Sequence, residues 1–388
     1  MKLSKILRWA DRYPYFYFLL QNDPQEEVIL YRWVLGVGHK PHKGPLTPGN
    51  WYLGGWRYEW GLPFEKSPKT PWIDFPHVAF FQPQIVIATE EAPDWTPEDL
   101  PPLRPNLRYL HASLDRRTFE GTVEVLRQHI YHGEVYQVNL TTAFLWEGTI
   151  DPITTYLHLL FHNPTLYNYL FKWRNRYVIG ASPERFCLIW RNIFAQQPIK
   201  GTAPRGQTLE EDNQLLLNLR KNPKEIAENT MIVDMVRNNF YRFCTPESVV
   251  VYRWAAVHTY PGVHHLVSGV SGQKRSEVSF LEAIRAIFPA ASMTGAPQEA
   301  AQGFIERYEP IARGIYSGAL GYLTPEGEGD FAVVIRSWVY DARAKKLLLQ
   351  VGSGITYDSQ PRAEWEETLL KAHRHLQSLG IPTPTPSL

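Results

Sequence analysis

Phe331-Ala332-Val333-Val334-Ile335-Arg336-Ser337-Trp338-Val339-Tyr340 reads as a β-strand. Ala332, Val334, Arg336, Trp338 and Tyr340 share one face at the two-residue period of a strand. A charged turn follows, and residues 346–351 return as a second strand. From Pro361 the period changes. Trp365, Leu369, Ala372, Leu376 and Leu379 recur at four-three spacing, which predicts a helix over 361–379, stopped by Gly380 and Pro382. Upstream, a helix is predicted near 222–241. Asn222 is a good N-cap, Pro223 suits the first helical position, and Glu225 completes a capping-box pattern. Ile226, Val233, Val236 and Phe240 share one face of it.

Further out the signals weaken. Residues 1–91 carry short apolar runs such as Val28–Leu35 and Val78–Phe81 and read as mostly β. Pro93, Pro97, Pro101, Pro102 and Pro105 mark a surface connection. These boundaries suggest an N-terminal region over 1–106, a principal region over 107–380 and an extended tail over 381–388, with the first two intertwined in one fold. No repeat is visible. The 388 residues hold 40 basic and 39 acidic side chains, a balance that argues against a nucleic-acid or membrane surface. The apolar run Tyr15–Leu20 is too short to span a bilayer. Cys187 and Cys244 are the only cysteines, too few for a disulfide framework or a cysteine metal site, and a reducing, cytoplasmic setting is expected.

Some residues carry chemistry at telling positions. Glu225 and Glu228 lie three apart on one predicted helix, and Glu364 and Glu367 repeat that spacing on the other. If the helices face each other, four carboxylates converge and repel unless a cation or protons neutralise them. Few carboxylates plus water suit Mg²⁺. The same spacing also belongs to exposed helix faces, and Glu225 has a capping role. Lys371 is an anion clamp or an ordinary i,i+4 partner of Glu367. Lys200, between Pro198-Ile199 and Gly201-Thr202, is a ligand-facing lysine or a turn lysine. Glu184, in Ser182-Pro183-Glu184-Arg185-Phe186, is a functional acid or part of a salt-bridged turn. Gly352-Ser353-Gly354 offers free N–H groups or a bend. His264-His265 supplies a proton-transfer group or a structural ring.

Taken in order, these segments resemble the chorismate-utilising enzymes. The matching stretches are Gly133–Leu140, Ser182–Phe186, Pro198–Thr202, Ala227–Asp234, Val263–Ser268, Thr294–Pro297, Tyr316–Gly318 and Glu364–Thr368, within roughly residues 119–375. The resemblance implies an α+β fold, a two-lobed sandwich of large antiparallel sheets flanked by helices, with chorismate in the central cleft. It implies Mg²⁺ bound by Glu228 and Glu367, with Glu225 and Glu364 holding its waters. It places Arg336 and Tyr316 on the enolpyruvyl carboxylate, Thr202 and backbone near Gly354 on the substrate, Lys371 near a carboxylate, and His265 near the reacting ring.

Two positions choose the branch. Family members that add water carry a lysine at the position of Gln137, and glutamine cannot be that base. Anthranilate-forming members carry alanine at the position of Lys200, and lysine there marks the aminodeoxychorismate branch. The implied reaction joins ammonia to chorismate. Glu184 protonates the departing C4 hydroxyl, and Lys200 adds covalently at C2 from its neutral form. Ammonia would come from glutamine through a partner amidotransferase, because neither cysteine sits in a glutaminase-like elbow. Anthranilate synthesis is the alternative activity, although no N-terminal Leu-Leu-Glu-Ser pattern is present. A catalytically silent chorismate binder is the other. The chain departs from the family pattern at Gln298, where a lysine usually follows Gly-Ala-Pro. It departs also at Asn239, in place of an acid, at Ala290-Ala291, in place of a glycine pair, and at Ser353, in place of a glycine.

Overall fold

The computed structural model describes residues 2–22, 25, 28–62, 69–97, 100–260 and 262–383. Along the chain come α1 (Leu3–Ala10), β1 (Tyr15–Gln21), β2 (Trp33–Gly38), β3 (Tyr52–Trp56), β4 (Val78–Phe81), β5 (Ile85–Thr89), β6 (Asn106–Ala112), α2 (Arg116–Tyr131) and β7 (Gln137–Thr149). Then follow α3 (Pro152–His162), β8 (Tyr167–Trp173), β9 (Arg176–Ser182), β10 (Arg185–Trp190), β11 (Ile193–Gln197), β12 (Ile199–Pro204), α4 (Leu209–Lys221), α5 (Pro223–Tyr241), β13 (Val250–Tyr260) and β14 (Val263–Gln273). The last part holds α6 (Phe280–Ile287), β15 (Gly295–Ala296), α7 (Gln298–Tyr308), β16 (Ala319–Leu323), β17 (Gly329–Val333), β18 (Ser337–Asp341), β19 (Lys346–Ile355) and α8 (Pro361–Leu379).

β1 shows how the aromatic-rich segments build layers. Phe16, Phe18 and Leu20 face one core, while Tyr15, Tyr17 and Leu19 face another, the alternation a strand imposes. The described strands form two antiparallel sheets. One has the order β15-β7-β19-β18-β9-β8-β1-β2-β5, with β6 also on β7. The other has the order β12-β14-β11-β10-β17-β16-β3-β4, with β13 also on β14. Tyr17, Leu53, Phe171 and Leu320 fill the space between the sheets. Leu7, Phe119, Leu157 and Leu376 bring helices onto the outer face of the first sheet, against Phe18 and Trp338. Val236, Phe240 and Ile284 do the same for the second, against Phe186 and Phe194. The result is the α+β sandwich of large antiparallel sheets that the resemblance implied. β1 pairs with β8 and β3 with β16, so early strands lie inside both sheets.

The hairpin predicted at the C-terminal end is present, with Trp338 opposite Leu349 and Tyr340 opposite Leu347. Residues 331–340, however, are not one strand. β17 ends at Val333 in the second sheet, and β18 begins at Ser337 in the first. Both halves are buried, so the apolar pattern runs unbroken through the crossing. Arg336 takes φ 51° there, a left-handed backbone that is unfavourable for a side-chain-bearing residue. Ser317 N–H donates to Val334 O at 2.8 Å and Ala181 N–H to Arg336 O at 2.9 Å, which hold the break.

α5 and α8 form as predicted. Asn222 accepts from the N–H groups of Lys224 and Glu225 at 3.0 and 3.4 Å. Its own N–H goes to Leu219 O, so Glu225 does not close a capping box. Among the described residues no helix is long and apolar enough to cross a membrane. The tail expected over 381–388 is described to Thr383, and 384–388 lie outside the described residues.

Candidate active site

β12 leaves its ladder at Lys200. Ile199 lies opposite Val267 and Thr202 opposite His265, so Lys200 and Gly201 together face Leu266. Such a bulge re-aims a side chain. Gly201 has φ 97°, and a Cβ there would stand 2.9 Å from Leu266 Cδ1 and 3.1 Å from Glu225 Oε2, so the strand needs glycine. The bulge carries Lys200 to Gly354 on β19. A Cβ on Gly354 would be 3.0 Å from Lys200 Nζ and 2.6 Å from Gln137 Nε2. Three residues singled out separately thus meet at one point. Gln137 is 1% exposed, and neither atom of its amide has a partner among the described residues. Leaving a buried polar group unpaired costs about 1–3 kcal/mol, so the amide has hydrogen-bonding capacity that a polar ligand could use.

Glu184 lies between β9 and β10, buried, with Ser292 Oγ donating to its Oε1 at 2.5 Å. Burial pushes its carboxyl up to about 7, and the Ser292 bond, the Lys200 charge and the Ile199 N–H restrain the rise. A carboxyl titrating there can deliver a proton near neutral pH.

The two helices aim carboxylates at the same cleft. Burial raises Glu225, and the negative charges of Glu228 and Glu367 raise it further. Glu367 is held below its usual range: burial acts upward, but Lys371, Lys200 and Arg336 outweigh it. Lys371 Nζ meets Glu367 Oε1 at 2.5 Å and donates to Gly352 O at 2.9 Å, so the i,i+4 pair is formed. Glu228 lies 3.9 Å from Lys224, and Glu364 is buried on α8. This donor set, hard oxygens under mutual repulsion, fits a small divalent cation in kind. Among the described residues, no three His, Cys, Asp or Glu stand close enough to form a ready-made metal site. Glu367 is engaged by Lys371.

Arg336 Nη1 donates to Lys371 O at 3.0 Å, and His375 Nε2 donates to Arg336 O at 2.5 Å, so α8 fixes the arginine from two sides. Burial pulls the guanidinium down to about 10. Burial pushes the nearby Tyr316 phenol up to about 12, with Arg313 and Arg336 acting against it. A buried guanidinium beside a phenol suits a carboxylate ligand. His265 is pulled down to about 3, first by burial and then by Arg336, so its ring is neutral. Its Nδ1 lies 3.0 Å from Thr202 Oγ1.

Three contributors had not been singled out. Asn229 donates from Nδ2 to Lys200 O at 3.4 Å and accepts from Ser268 Oγ at 2.6 Å, tying α5 to β12 and β14. It sits inside the quoted stretch Ala227–Asp234, which was the available signal. Ser292 and His375 follow no spacing rule that would reveal them.

A buried guanidinium, a buried carboxyl titrating near neutral pH and a lysine on a bulge, gathered within two packed sheets, suit a small anionic molecule. The chain belongs to the chorismate binding enzyme family, which it matches over residues 37–377. It is 39% identical to anthranilate synthase component 1 of Lactococcus lactis subsp. lactis over 261 residues, 67% of this chain and 57% of that protein. The chain therefore spans little more than half the length of that relative. It is 33% identical to anthranilate synthase component 1 of Saccharolobus solfataricus, over 79% of this chain and 75% of that one. The crystal structure of anthranilate synthase component I from Streptococcus pneumoniae superposes with a TM-score of 0.73 at 27% identity, covering 92% of each chain.

Proposed function

We propose that this protein is the chorismate-binding subunit of an aminodeoxychorismate synthase, making 4-amino-4-deoxychorismate, a precursor of para-aminobenzoate, from chorismate and ammonia. The observation that supports this reading is Lys200, whose Nζ reaches Gly354 and Gln137 and whose charge acts on Glu184. In this reading Arg336 and Tyr316 receive the enolpyruvyl carboxylate, and Thr202 and the backbone at Gly354 border the ring. When bound, Mg²⁺ would neutralise and orient the ring carboxylate, with Glu228 and Glu367 as ligands and Glu225 and Glu364 holding its waters. Lys200, charged in the free site, gives a proton to solvent and then adds at C2 as the neutral amine, and the electron pairs of the two ring double bonds shift towards C4. The C4–O bond breaks as Glu184 gives its proton, and water leaves. Ammonia then adds at C4, the electron pairs return, and the C2–N bond to Lys200 breaks. The proton that ammonium sheds on becoming a nucleophile restores Glu184.

Ammonia is assigned to a separate glutamine amidotransferase subunit. Both cysteines are buried, which does not suit a glutaminase nucleophile.

A second reading, anthranilate synthase component I, is favoured by the names of the relatives above. Product analysis with chorismate, Mg²⁺ and an ammonium salt separates the two. Aminodeoxychorismate is expected, anthranilate with pyruvate would select the second reading, and no product would leave a silent chorismate binder.

A further inference from the structure

Two of the chain's departures from the family pattern touch each other. Asn239, near the end of α5, is 4% exposed and donates from Nδ2 to Gln298 Oε1 at 3.1 Å. Gln298, first residue of α7, donates from Nε2 to Pro289 O at 3.0 Å. One side-chain amide therefore ties the end of α5 to the start of the segment 289–294. That segment carries Ser292, whose hydroxyl bonds Glu184. Its far end is fixed separately, by Thr294 O accepting from Asn139 N–H at 2.8 Å and Met293 O accepting from Arg313 at 2.6 Å.

We propose that Asn239 and Gln298 form a positioning clasp that sets Ser292 against the Glu184 carboxyl. The proposal rests on the reading of Glu184 as the acid of the reaction. The space behind that carboxyl, lined by Pro198, Val236, Ala290, Ala291 and Ser292 among others, measures only about 10 Å³. It has room for at most one water. Val236 lies on the same helix as Asn239, so the clasp also fixes the wall of this space. The charged group facing Glu184 is Lys200 of β12, while Arg185, next in the chain, is committed to Asp330. Neither is reached by the clasp, so the one polar contact through which it acts on the carboxyl is Ser292.

The two departures match in charge. A neutral amide meets a neutral amide, and neither Asn239 nor Gln298 leaves a buried charge. Restoring an acid at 239 and a lysine at 298 together should rebuild the tie as an ion pair, with the lysine able to reach Pro289 O as well.

The test compares Gln298→Met, which keeps the length of the side chain but cannot hydrogen-bond, with the double variant Asn239→Asp/Gln298→Lys. The readouts are the pH dependence of chorismate turnover and the titration of the Glu184 carboxyl by difference infrared spectroscopy, taken against Glu184→Gln. Losing a hydrogen bond to a charged carboxylate raises its titration point by about one pH unit. Gln298→Met is therefore expected to move both the carboxyl titration and the alkaline limb of turnover upward by that amount, with kcat down about tenfold, and the double variant to bring both back towards wild type. An unmoved titration in a folded Gln298→Met protein overturns the clasp. Full turnover by Glu184→Gln overturns the underlying reading of the acid instead. If Gln298→Met does not fold, the single variant Asn239→Ala, which keeps the Pro289 bond, serves the same readouts.

Discussion

Arg185 and Lys200 are both basic side chains set into the second sheet, and their surroundings are opposite. Arg185 is fully enclosed. Its Nε bonds Tyr167 Oη and Asp330 Oδ1, its Nη1 bonds Gln197 Oε1, and its Nη2 bonds Val28 O and Asp330 Oδ2. Tyr167 and Gln21 reach Asp330 from the first sheet, so the network bolts the two sheets together. Lys200 instead stands on a bulge beside an amide with no partner among the described residues, near Glu225, which burial and the charges of Glu228 and Glu367 raise. Both clusters are polar and enclosed by the same fold. In the first both charges are met by the protein, with the Gln21 amide oxygen left over at the edge; in the second the leftover amide stands beside the lysine itself. Surplus polarity in an enclosed space is what a ligand satisfies, and saturation is what a scaffold needs.

The sharpest way to break this comparison is Asp330→Ala. It strands the Arg185 charge between the sheets, and a loss of about 3–5 kcal/mol in unfolding free energy is expected from denaturant titration. A loss below about 1 kcal/mol would mean that the network is not the bolt described. Lys200→Ala should behave inversely. Stability should stay within about 0.5 kcal/mol of wild type. Turnover with ammonia should fall roughly 100-fold, about 2.7 kcal/mol in barrier, with chorismate KM little changed. Mass spectrometry of wild type quenched with chorismate and Mg²⁺ but no ammonia should show adduct mass on the Lys200 peptide. If Lys200→Ala keeps full turnover and no adduct forms, the anthranilate reading gains. Glu228→Gln is a milder probe: the Mg²⁺ concentration for half-maximal turnover should rise about tenfold, with the circular dichroism spectrum unchanged. An unchanged requirement would remove Glu228 from the metal site.

How much of this could be read in the sequence follows from where the information lies. α5 and α8 were legible because capping at Asn222 and four-three spacing after Pro361 are local rules, and they place Glu225, Glu228, Glu364 and Glu367 without further help. The hairpin of β18 and β19 was legible for the same reason. The crossing at Val334–Arg336 was not. A strand that passes from one buried sheet to another keeps its apolar residues throughout, and only the left-handed Arg336 betrays the change. Lys200, Gln137 and Gly354 could be named one by one from ordered motifs, but their meeting depends on a bulge in β12, which no pattern announces. Ser292 needed the fold, because its partner is 108 positions away. The relatives' names add the family and, on the branch, favour the anthranilate reading over the one drawn from Lys200.

The smallest expected effect isolates the charge that Lys200 places on the acid. Glu184 is an acid whose native titration point, about 7, is raised from 4.5 by burial. As a proton donor it works in its protonated form, so turnover should decline as pH climbs through 7. The ammonium of Lys200 favours the carboxylate and therefore restrains that rise. Removing the positive charge must move the titration upward, never downward. For Lys200→Met, which keeps most of the length and removes the charge, the alkaline limb of the residual turnover should lie about half a pH unit above wild type, roughly 0.7 kcal/mol of charge interaction. The same sign should appear in stability. As pH climbs from about 4.5 to about 7 the wild type loses stability relative to Glu184→Gln, because the native carboxyl holds its proton to higher pH than the unfolded one. Lys200→Met should leave the onset of that loss unchanged, carry it to higher pH and deepen it, because only the native carboxyl holds its proton longer. A limb displaced to lower pH, or not displaced at all, would mean that Lys200 and Glu184 do not share one field, and the surplus-polarity side of the comparison would lose its central pair.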